Sequence, residues 1–223
     1  NELYWILGDM TFCERAAMLA NVCSPENRNI RMMKRLAEIN LVKGDYDAAH
    51  KYLRILQKTF VWSRWANRAF DALGKKASSY DKALLQQYLD KRPYLNTRDT
   101  LRLNDNCHTI MSELMESNPN NNIAVNYMLC SDLLLKDMET FKHDYDAYYL
   151  KQQNVTYEKL YQEALAIYLA GTKAPPAEWA KYIKRQDVLQ RFKQYNEQRG
   201  NPAFKDTYWY YFDKAEAPKL NNN

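Results

Sequence analysis

The stretch from Asn29 to Thr59, NIRMMKRLAEINLVKGDYDAAHKYLRILQKT, decides the fold. Its apolar residues recur at three- and four-residue spacing on both sides of Gly44, which predicts two antiparallel helices. Gly44 allows the backbone to turn sharply, and Asp45 can cap the start of the second helix. Ala37 and Ala49 are small where the two helices approach each other. A hairpin of this size cannot bury its apolar face alone, so we expect further helix pairs stacked on it.

This pattern resembles the tetratricopeptide repeat, which the segments Leu36-Ala37, Gly44 to Tyr46 and Ala49 match. Gly8-Asp9 precedes the equivalent Gly44-Asp45 by 36 residues, close to that family's period of roughly 34. The resemblance implies an all-α fold, a right-handed superhelix of antiparallel helix pairs. It implies no activity, because the repeat is defined by its packing.

A second match follows the boundary sequence NPNN at residues 118–121. We predict a first helix from Ile123 to Lys136 and a partner helix from Met138 to Gln152. Lys136 stands where this repeat has its turn glycine, and Phe141 stands where it has a small alanine. These departures imply looser contacts between the two helices.

The remaining periodicity predicts further helices, at Met10 to Asn21, Phe60 to Lys75 and Ser79 to Leu89 and then, after an irregular stretch at 93–104, at Cys107 to Ser117. Thr156 is suited to cap a helix through Ala170, and Pro175-Pro176 to open one long capping helix to Gln198. We therefore predict a single helical-repeat domain over 1–223. Its repeat-like units lie near 1–27, 28–62, 63–92, 105–121 (a second half-unit), 122–153 and 156–199.

The aromatic tail from Phe204 to Phe212, FKDTYWYYF, leaves three alternatives. It can fold back over the last repeat, it can form a partner interface, since Tyr and Trp favour such sites, or it can stack on sugar rings or lie near a membrane surface. The sequence does not decide among them.

Composition agrees with a helical fold that has a continuous core. The chain has 223 residues, 46% of them hydrophobic, with only 5 Gly. A mean hydropathy of −0.69 and the lack of a long apolar run exclude a membrane span within these residues. The first residue is Asn rather than Met, so we expect a piece of a longer protein whose targeting segment or anchor lies outside this sequence.

The segments KRLAEINLVKGDYDAAHKYLRILQK and TYWYYF are also similar to the soluble C-terminal region of an uncharacterised, membrane-anchored bacterial family. That resemblance implies a domain of unknown function in the bacterial cell envelope, on the periplasmic side, tethered through a preceding N-terminal region. The cysteines Cys13, Cys23, Cys107 and Cys130 show no pairing pattern, although a Cys107–Cys130 bridge stays open. Unpaired cysteines favour a reducing compartment, so a cytoplasmic location is the alternative.

No catalytic or metal-binding constellation is present in the sequence. His50, His108 and His143 are scattered, without H-x-x-x-H or Cys-x-x-Cys spacing, and there is no glycine-rich phosphate loop. We therefore predict no catalytic residue, no cofactor and no metal, and we expect a protein that is not an enzyme.

Charge is the strongest functional signal. Residues 28–102 carry 17 basic and 7 acidic residues, whereas residues 103–178 carry 5 and 11. In a solenoid this sequence segregation becomes spatial segregation, so a positive groove could steer an acidic protein or peptide to it. The ordinary interpretation is a solvated, lysine-rich face. The residues predicted to bind the partner are Arg31, Lys34, Arg35, Arg64 and Arg68.

The sequence disfavours two other binding functions, the peptide-carboxylate clamp and nucleic-acid binding. Glu38 replaces an asparagine of the peptide-carboxylate clamp known in tetratricopeptide repeats, so clamp function is not carried over. Nucleic acid is not an expected partner, because 27 acidic residues interrupt the basic ones and no recognition motif is present.

The sequence thus predicts a non-catalytic helical-repeat scaffold that binds a protein or peptide. The alternative is a glycan-binding module of a bacterial nutrient-uptake system, with an exposed aromatic pair among Trp62, Trp65, Trp179 and Trp209. An enzyme domain is the third hypothesis.

Overall fold

The computed structural model describes residues 1–27, 29–74, 77–95 and 106–218. Over these ranges the chain forms α-helices, short 3₁₀ segments and no strand, which confirms the all-α prediction. Backbone contacts divide the chain into two compact units. Unit 1 comprises Asn1–Asp105 with Glu113–Ile123, and unit 2 comprises Asn106–Ser112 with Ala124–Asn223. The single repeat domain over 1–223 stays a prediction, and most of the predicted irregular stretch lies outside the described residues.

Unit 1 is built from consecutive helix pairs. The helix α3 (Ile30–Lys43) packs against α2 (Met10–Val22), α4 (Tyr46–Leu56) and α6 (Ser79–Leu89), and α5 (Ser63–Ala72) packs against α4 and α6. Two further helices, α7 (Cys107–Ser117) and α8 (Asn122–Leu135), contribute residues to both units. Unit 1 begins with the short helix α1 (Glu2–Leu7).

The hairpin of α3 and α4 matches its prediction. Gly44 ends α3 in the left-handed region, with φ +80°. The Asp45 carboxylate accepts a hydrogen bond from the Ala48 amide at 3.0 Å and so caps α4. Ala37 and Ala49 are fully buried where the two helices meet.

The same turn recurs at two other places. Gly8 has φ +82°, and Asp9 then accepts from the Phe12 amide at 3.1 Å. Lys136 has φ +59°, and Asp137 then accepts from the Thr140 amide at 3.0 Å. Lys136 therefore adopts the glycine conformation despite its side chain.

A short 3₁₀ segment, Arg92–Tyr94, covers the first two of these turns. A Cβ atom added to Gly8 would lie 2.2 Å from the Tyr94 ring, and one added to Gly44 would lie 2.9 Å from the Arg92 guanidinium. Arg92 also donates to the Val42 carbonyl at 3.1 Å. The left-handed backbone thus favours glycine at both positions, and the close approach of the Tyr94 ring adds a second reason at Gly8.

Unit 2 is organised around α10 (Lys159–Gly171). This helix packs against α9 (Met138–Ala147), α11 (Pro176–Tyr182), α12 (Gln186–Glu197) and α13 (Tyr208–Lys214). Its residues Ala164, Leu165, Ala166 and Leu169 are fully buried.

The prediction of one long helix from Pro176 to Gln198 is wrong. The helix breaks after Tyr182, where Ile183 is extended. The buried Gln162 of α10 satisfies the backbone at the break: its amide donates to the Tyr182 carbonyl at 2.9 Å and accepts from the Lys184 amide at 2.6 Å. Gln162 lies 20 and 22 residues from these two backbone groups, so local periodicity does not reveal the break.

Other predicted helix ends also need correction. The helix predicted from Phe60 begins at Ser63, because the Thr59 hydroxyl accepts from the Trp62 amide at 3.2 Å in the preceding turn. The helix predicted to reach Gln152 ends at Ala147 and is followed by a 3₁₀ turn. Thr156 does not cap α10, since its hydroxyl bonds the Glu158 carboxylate at 2.8 Å.

The aromatic tail folds back on unit 2, which confirms the first of its three alternatives. Phe204, Tyr208 and Trp209 are buried. The Tyr208 hydroxyl donates to the Leu133 carbonyl at 2.7 Å, and α13 packs on α10. Half of the six aromatic side chains in this cluster are therefore core, and the other three are partly buried.

Candidate functional site

The predicted cations of α3 are largely neutralised by acidic residues of unit 1. Lys34 pairs with Glu38, and Arg35 lies 2.9 Å from Glu38 and 2.6 Å from Glu2. Arg35 retains 11% of its side-chain exposure and Lys34 19%. Arg31 is mostly exposed, and its guanidinium lies 3.4 Å from Glu2. These side chains form an internal ion network more than a free cationic surface.

Aromatic rings enclose this network. The Lys34 ammonium lies 4.8 Å from the ring centres of both Trp62 and Trp65. The Trp65 indole donates to the Tyr88 hydroxyl at 3.3 Å, and that hydroxyl donates to Glu38 at 3.3 Å. Burial, followed by the Glu38 charge, raises the pKa of Tyr88. The arrangement is a satisfied polar core, and it occupies the face that the sequence assigned to a partner.

The predicted cations of α5 differ from each other. Arg68 stacks on Tyr80, with 3.6 Å between the guanidinium carbon and the ring centre, and lies 3.5 Å from Asp81. Arg64 is exposed. Among the five predicted residues, Arg31 and Arg64 thus keep exposed charged groups, while Lys34, Arg35 and Arg68 are held by neighbours.

Unit 2 contains a buried acidic cluster that the sequence pattern did not predict. The fully buried Asp144 carboxylate lies 2.6 Å from His108 Nε2 and 2.9 Å from His143 Nδ1. Asp132 is also buried, and burial together with the Asp144 charge raises its pKa to about 7. His108 and Asp144 lie 36 residues apart, and no sequence spacing signals their contact.

Unit 2 contains a groove of about 540 Å³ lined by α8, α10, α13 and the turn before α13. We call it the α8–α10 groove. Leu134 and Leu160 line it and remain 55% and 40% exposed. The Tyr208 and Tyr211 hydroxyls donate to the carbonyls of Leu133 and Leu134, at 2.7 Å and 3.0 Å. Because these hydroxyls are used internally, the two tyrosines leave ring carbon to the groove.

Charged groups line one side of the same groove. Glu163 is buried, and its Oε2 accepts from the Tyr208 amide at 2.7 Å. The Lys159 ammonium lies 3.6 Å from Glu163 and 3.7 Å from Asp206. Burial raises the pKa of Glu163, against the lowering effects of the Tyr208 amide and Lys159. Lys205 is exposed on this side without an acidic partner among the described residues.

Arg191 lies outside the groove lining and pairs with Asp206, which lines it. Its guanidinium holds Asp206 with two hydrogen bonds of 2.9 Å and 2.6 Å. Lys159 and Lys205 line the groove together with the two carboxylates, and Arg191 pairs with Asp206 from outside the lining. Lys205 is thus left as a positive charge beside an apolar lining. An acidic group next to an apolar side chain fits such a surface best.

A second groove of about 490 Å³ lies between α11 and α12. Trp179 and Phe192 form its aromatic wall, with 6.1 Å between ring centres. Lys193 and Asn196 supply polar groups beside the wall. Trp209, another tryptophan considered for a glycan platform, is buried with 1% exposure and cannot serve as one.

Within the described ranges, no three His, Cys, Asp or Glu side chains are arranged to hold a metal ion. Over the same ranges, no helix combines the length and the apolar character that crossing a bilayer requires.

Comparison with known proteins places the chain in a family. The model of a family of unknown function (DUF6057) matches residues 1–215, so the chain belongs to that family. No curated protein and no solved structure matches the chain.

Proposed function

We propose that this chain is a non-catalytic helical-repeat module that binds a protein or peptide through the α8–α10 groove. The observation that carries the proposal is an open apolar groove of about 540 Å³ with the exposed Lys205 at its side, which has no acidic partner among the described residues. Grooves of this size and lining bind side chains of a partner, with a few polar groups to fix its orientation.

The groove suits a partner segment that carries a leucine- or phenylalanine-sized side chain next to Asp or Glu. The apolar side chain would contact Leu134, Leu160 and the ring carbons of Tyr208 and Tyr211. The acidic side chain would contact Lys205, whose charge is not balanced locally. This agrees with the acidic partner predicted from the charge distribution and moves the contact from unit 1 to unit 2.

We further propose that the helix pairs follow the tetratricopeptide-like superhelix predicted from the sequence. Support comes from the three turns at Gly8, Gly44 and Lys136, each of which is followed by an aspartate that caps the next helix. A repeat of this kind presents a face for polypeptide ligands without chemistry of its own.

We also propose a location in the bacterial cell envelope, with the chain tethered through a segment outside residues 1–223. The sequence similarity of segments 34–58 and 207–212 to an envelope family supports this, and the cytoplasm is the alternative. Fractionation of the native cells, with detection of this chain, separates the two.

The binding proposal is tested with an array of peptides in which a central Leu or Phe is flanked by Asp/Glu, by Gln or by Lys. We expect the chain to prefer the acidic set. Leu160→Asp and Lys205→Glu should each weaken that binding by about tenfold. The first replaces an apolar contact with a charge, and the second reverses the charge that attracts the acidic side chain.

The matched control is Leu19→Asp, which places the same charge at an exposed leucine of α2 in unit 1. This variant should bind the acidic peptides as the parent chain does. Equal binding of all three peptide sets, or equal losses in Leu160→Asp and Leu19→Asp, would contradict the proposal.

A second candidate function is glycan binding at the groove between α11 and α12. The half-buried Trp179 beside Lys193 and Asn196 favours it, because a flat ring with adjacent polar groups suits a sugar. Quenching of tryptophan fluorescence across a glycan panel, lost in Trp179→Phe and kept in Trp62→Phe, would support it. No quenching by any glycan would dismiss it.

A further inference from the structure

The turn between α4 and α5 exposes two adjacent apolar residues. Phe60 is 100% exposed and Val61 is 70% exposed. Ile55, in the last turn of α4, is 45% exposed. We call residues 55–61 the Phe60 turn. A phenylalanine in full contact with water costs free energy that folding normally avoids by burial.

The backbone of the Phe60 turn is held in place by hydrogen bonds. The Thr59 hydroxyl donates to the Leu56 carbonyl at 2.7 Å and accepts from the Trp62 amide at 3.2 Å. The Thr59 amide also donates to the Leu56 carbonyl at 3.0 Å. Because the turn is fixed at both ends, the Phe60 side chain is displayed by the fold.

Basic residues accompany the apolar ones. Residues 48–70 contain no Asp or Glu, and four basic residues in this stretch have exposed side chains: Lys51, Arg54, Lys58 and Arg64. Lys51 lies about 8 Å before the end of α4, given a rise of 1.5 Å per residue, so these charges stay close to the turn. None of the four forms an ion pair within the described residues.

We propose that the Phe60 turn seats on an anionic membrane surface. Phe60 and Val61 enter the boundary between headgroups and acyl chains, and the four basic side chains contact lipid phosphates. Apolar insertion and electrostatic attraction to anionic lipid add together in this mode, and either alone is weak.

The shape of the turn favours a membrane over an acidic protein as the partner. Phe60 projects from a turn and is surrounded by solvent. A protein partner would need a pocket matched to this projection, whereas a fluid bilayer accommodates a projecting ring without one. The proposal is independent of the peptide groove, which lies in unit 2.

The test is co-sedimentation of the chain with vesicles of phosphatidylcholine alone and of phosphatidylcholine mixed with phosphatidylglycerol. We expect binding to the mixed vesicles that weakens as salt is added. Lys58→Gln with Arg64→Gln should reduce binding by about 25-fold, or about fivefold for each basic side chain. Phe60→Ser with Val61→Ser should reduce it by about tenfold or more with the charge unchanged.

Two control variants match these changes. Leu19→Ser with Val22→Ser removes exposed apolar residues of α2, and Lys151→Gln with Lys193→Gln removes exposed charges of unit 2. Both should bind vesicles as the parent chain does. Phe60→Trp reports the insertion itself through a blue shift of its emission on mixed vesicles.

The proposal is overturned by equal binding to neutral and anionic vesicles, by unchanged binding in the Phe60→Ser, Val61→Ser variant, or by no binding to either vesicle. Circular dichroism of each variant confirms that the helices are intact. If the chain binds neither vesicle, an acidic protein would remain as the candidate partner of the Phe60 turn.

Discussion

Lys136 occupies a left-handed position that glycine fills at the two equivalent turns, Gly8 and Gly44. The contacts of the Lys136 side chain explain why a lysine stands where the other two turns have glycine. The ammonium donates to the carbonyls of Phe212, at 2.8 Å, and of Ala215, and lies 5.4 Å from the Tyr211 ring centre. It thereby caps the C-terminal end of α13, where carbonyls lack helical partners. The free-energy cost of the left-handed backbone at Lys136 is offset by the hydrogen bonds that its ammonium makes to the end of α13.

We expect Lys136→Met to lower the free energy of unfolding by about 1–2 kcal/mol, because the ammonium bonds are lost and the left-handed residue remains. Lys136→Gly should be less destabilising than Lys136→Met by about 1 kcal/mol, since glycine relieves the backbone cost. Urea unfolding followed by circular dichroism measures both. A Lys136→Met variant as stable as the parent would contradict the capping role of the ammonium.

Asp132 is a buried carboxyl whose Oδ2 has no hydrogen-bond partner among the described residues. Burial and then the charge of Asp144 raise its pKa to about 7, while His108 lowers it and Asp137 raises it slightly. The folded chain therefore binds this proton at pH values where the unfolded chain, with a carboxyl pKa of about 4, has released it. On this account stability falls as pH rises from about 4 to 7.

Asp132→Asn should remove this part of the pH dependence. We expect the parent chain to lose stability relative to Asp132→Asn by roughly 1–3 kcal/mol between pH 5 and pH 8, since one pKa unit corresponds to about 1.4 kcal/mol. Urea midpoints of both chains at the two pH values give the difference, in which other titrations cancel. A difference that stays constant with pH would refute the assignment.

At the scale of elements, the segment Arg92–Tyr94 ties together two turns that are far apart in sequence. Tyr94 lies on Gly8, and Arg92 lies on Gly44 and donates to the Tyr46 hydroxyl at 3.1 Å. The two contacts differ in kind, because a ring is rigid and the end of an arginine is flexible. The first and second helix pairs of unit 1 therefore share one covering segment.

This difference predicts different costs for the two glycines. Gly44→Ala should destabilise by about 1 kcal/mol, mainly from the left-handed backbone, because Arg92 can move aside. Gly8→Ala should cost roughly 2–4 kcal/mol, because its Cβ also overlaps the Tyr94 ring. Thermal unfolding of both variants measures the order, and Gly8→Ala combined with Tyr94→Ala should recover part of the loss. Equal costs would show that the ring moves freely.

At the scale of the whole molecule, the four cysteines are free thiols, and the Cys107–Cys130 bridge left open by the sequence is not formed. Cys23 and Cys107 are exposed, Cys130 is half-buried and Cys13 is fully buried. Burial raises the pKa of Cys13 to about 11, despite the lowering effect of Arg35. Thiolate reactivity should therefore differ sharply among the four.

Titration of the native chain with a thiol reagent should show two fast groups, and Cys13 should react only after unfolding. Cys23→Ser and Cys107→Ser should each remove one fast group. A Cys13→Ser variant with the same fast and slow amplitudes before unfolding serves as the control. Fast reaction at Cys13 would contradict its place in the core of unit 1.

The family assignment and the all-α class agree with the sequence prediction, and so do the turn elements that local chemistry sets. Gly44, Asp45 and the spacing of Ala37 and Ala49 act within a few residues, so the sequence shows them directly. The partner-binding residues stay a prediction. The sequence marked Lys34, Arg35 and Arg68 as cationic but could not show that Glu38, Glu2 and Asp81 neutralise them.

The amino-acid sequence by itself determined where helices turn and which faces are apolar, because caps, glycine conformations and periodicity are local. Only the tertiary structure decided which charges stay free, where the helix after Pro176 breaks, and which side chains line a groove. Lys159, Lys205 and Leu134 meet at one groove although up to 71 positions separate them. Packing and desolvation across the chain bring such residues together, so their spacing in the sequence does not reveal that they are neighbours.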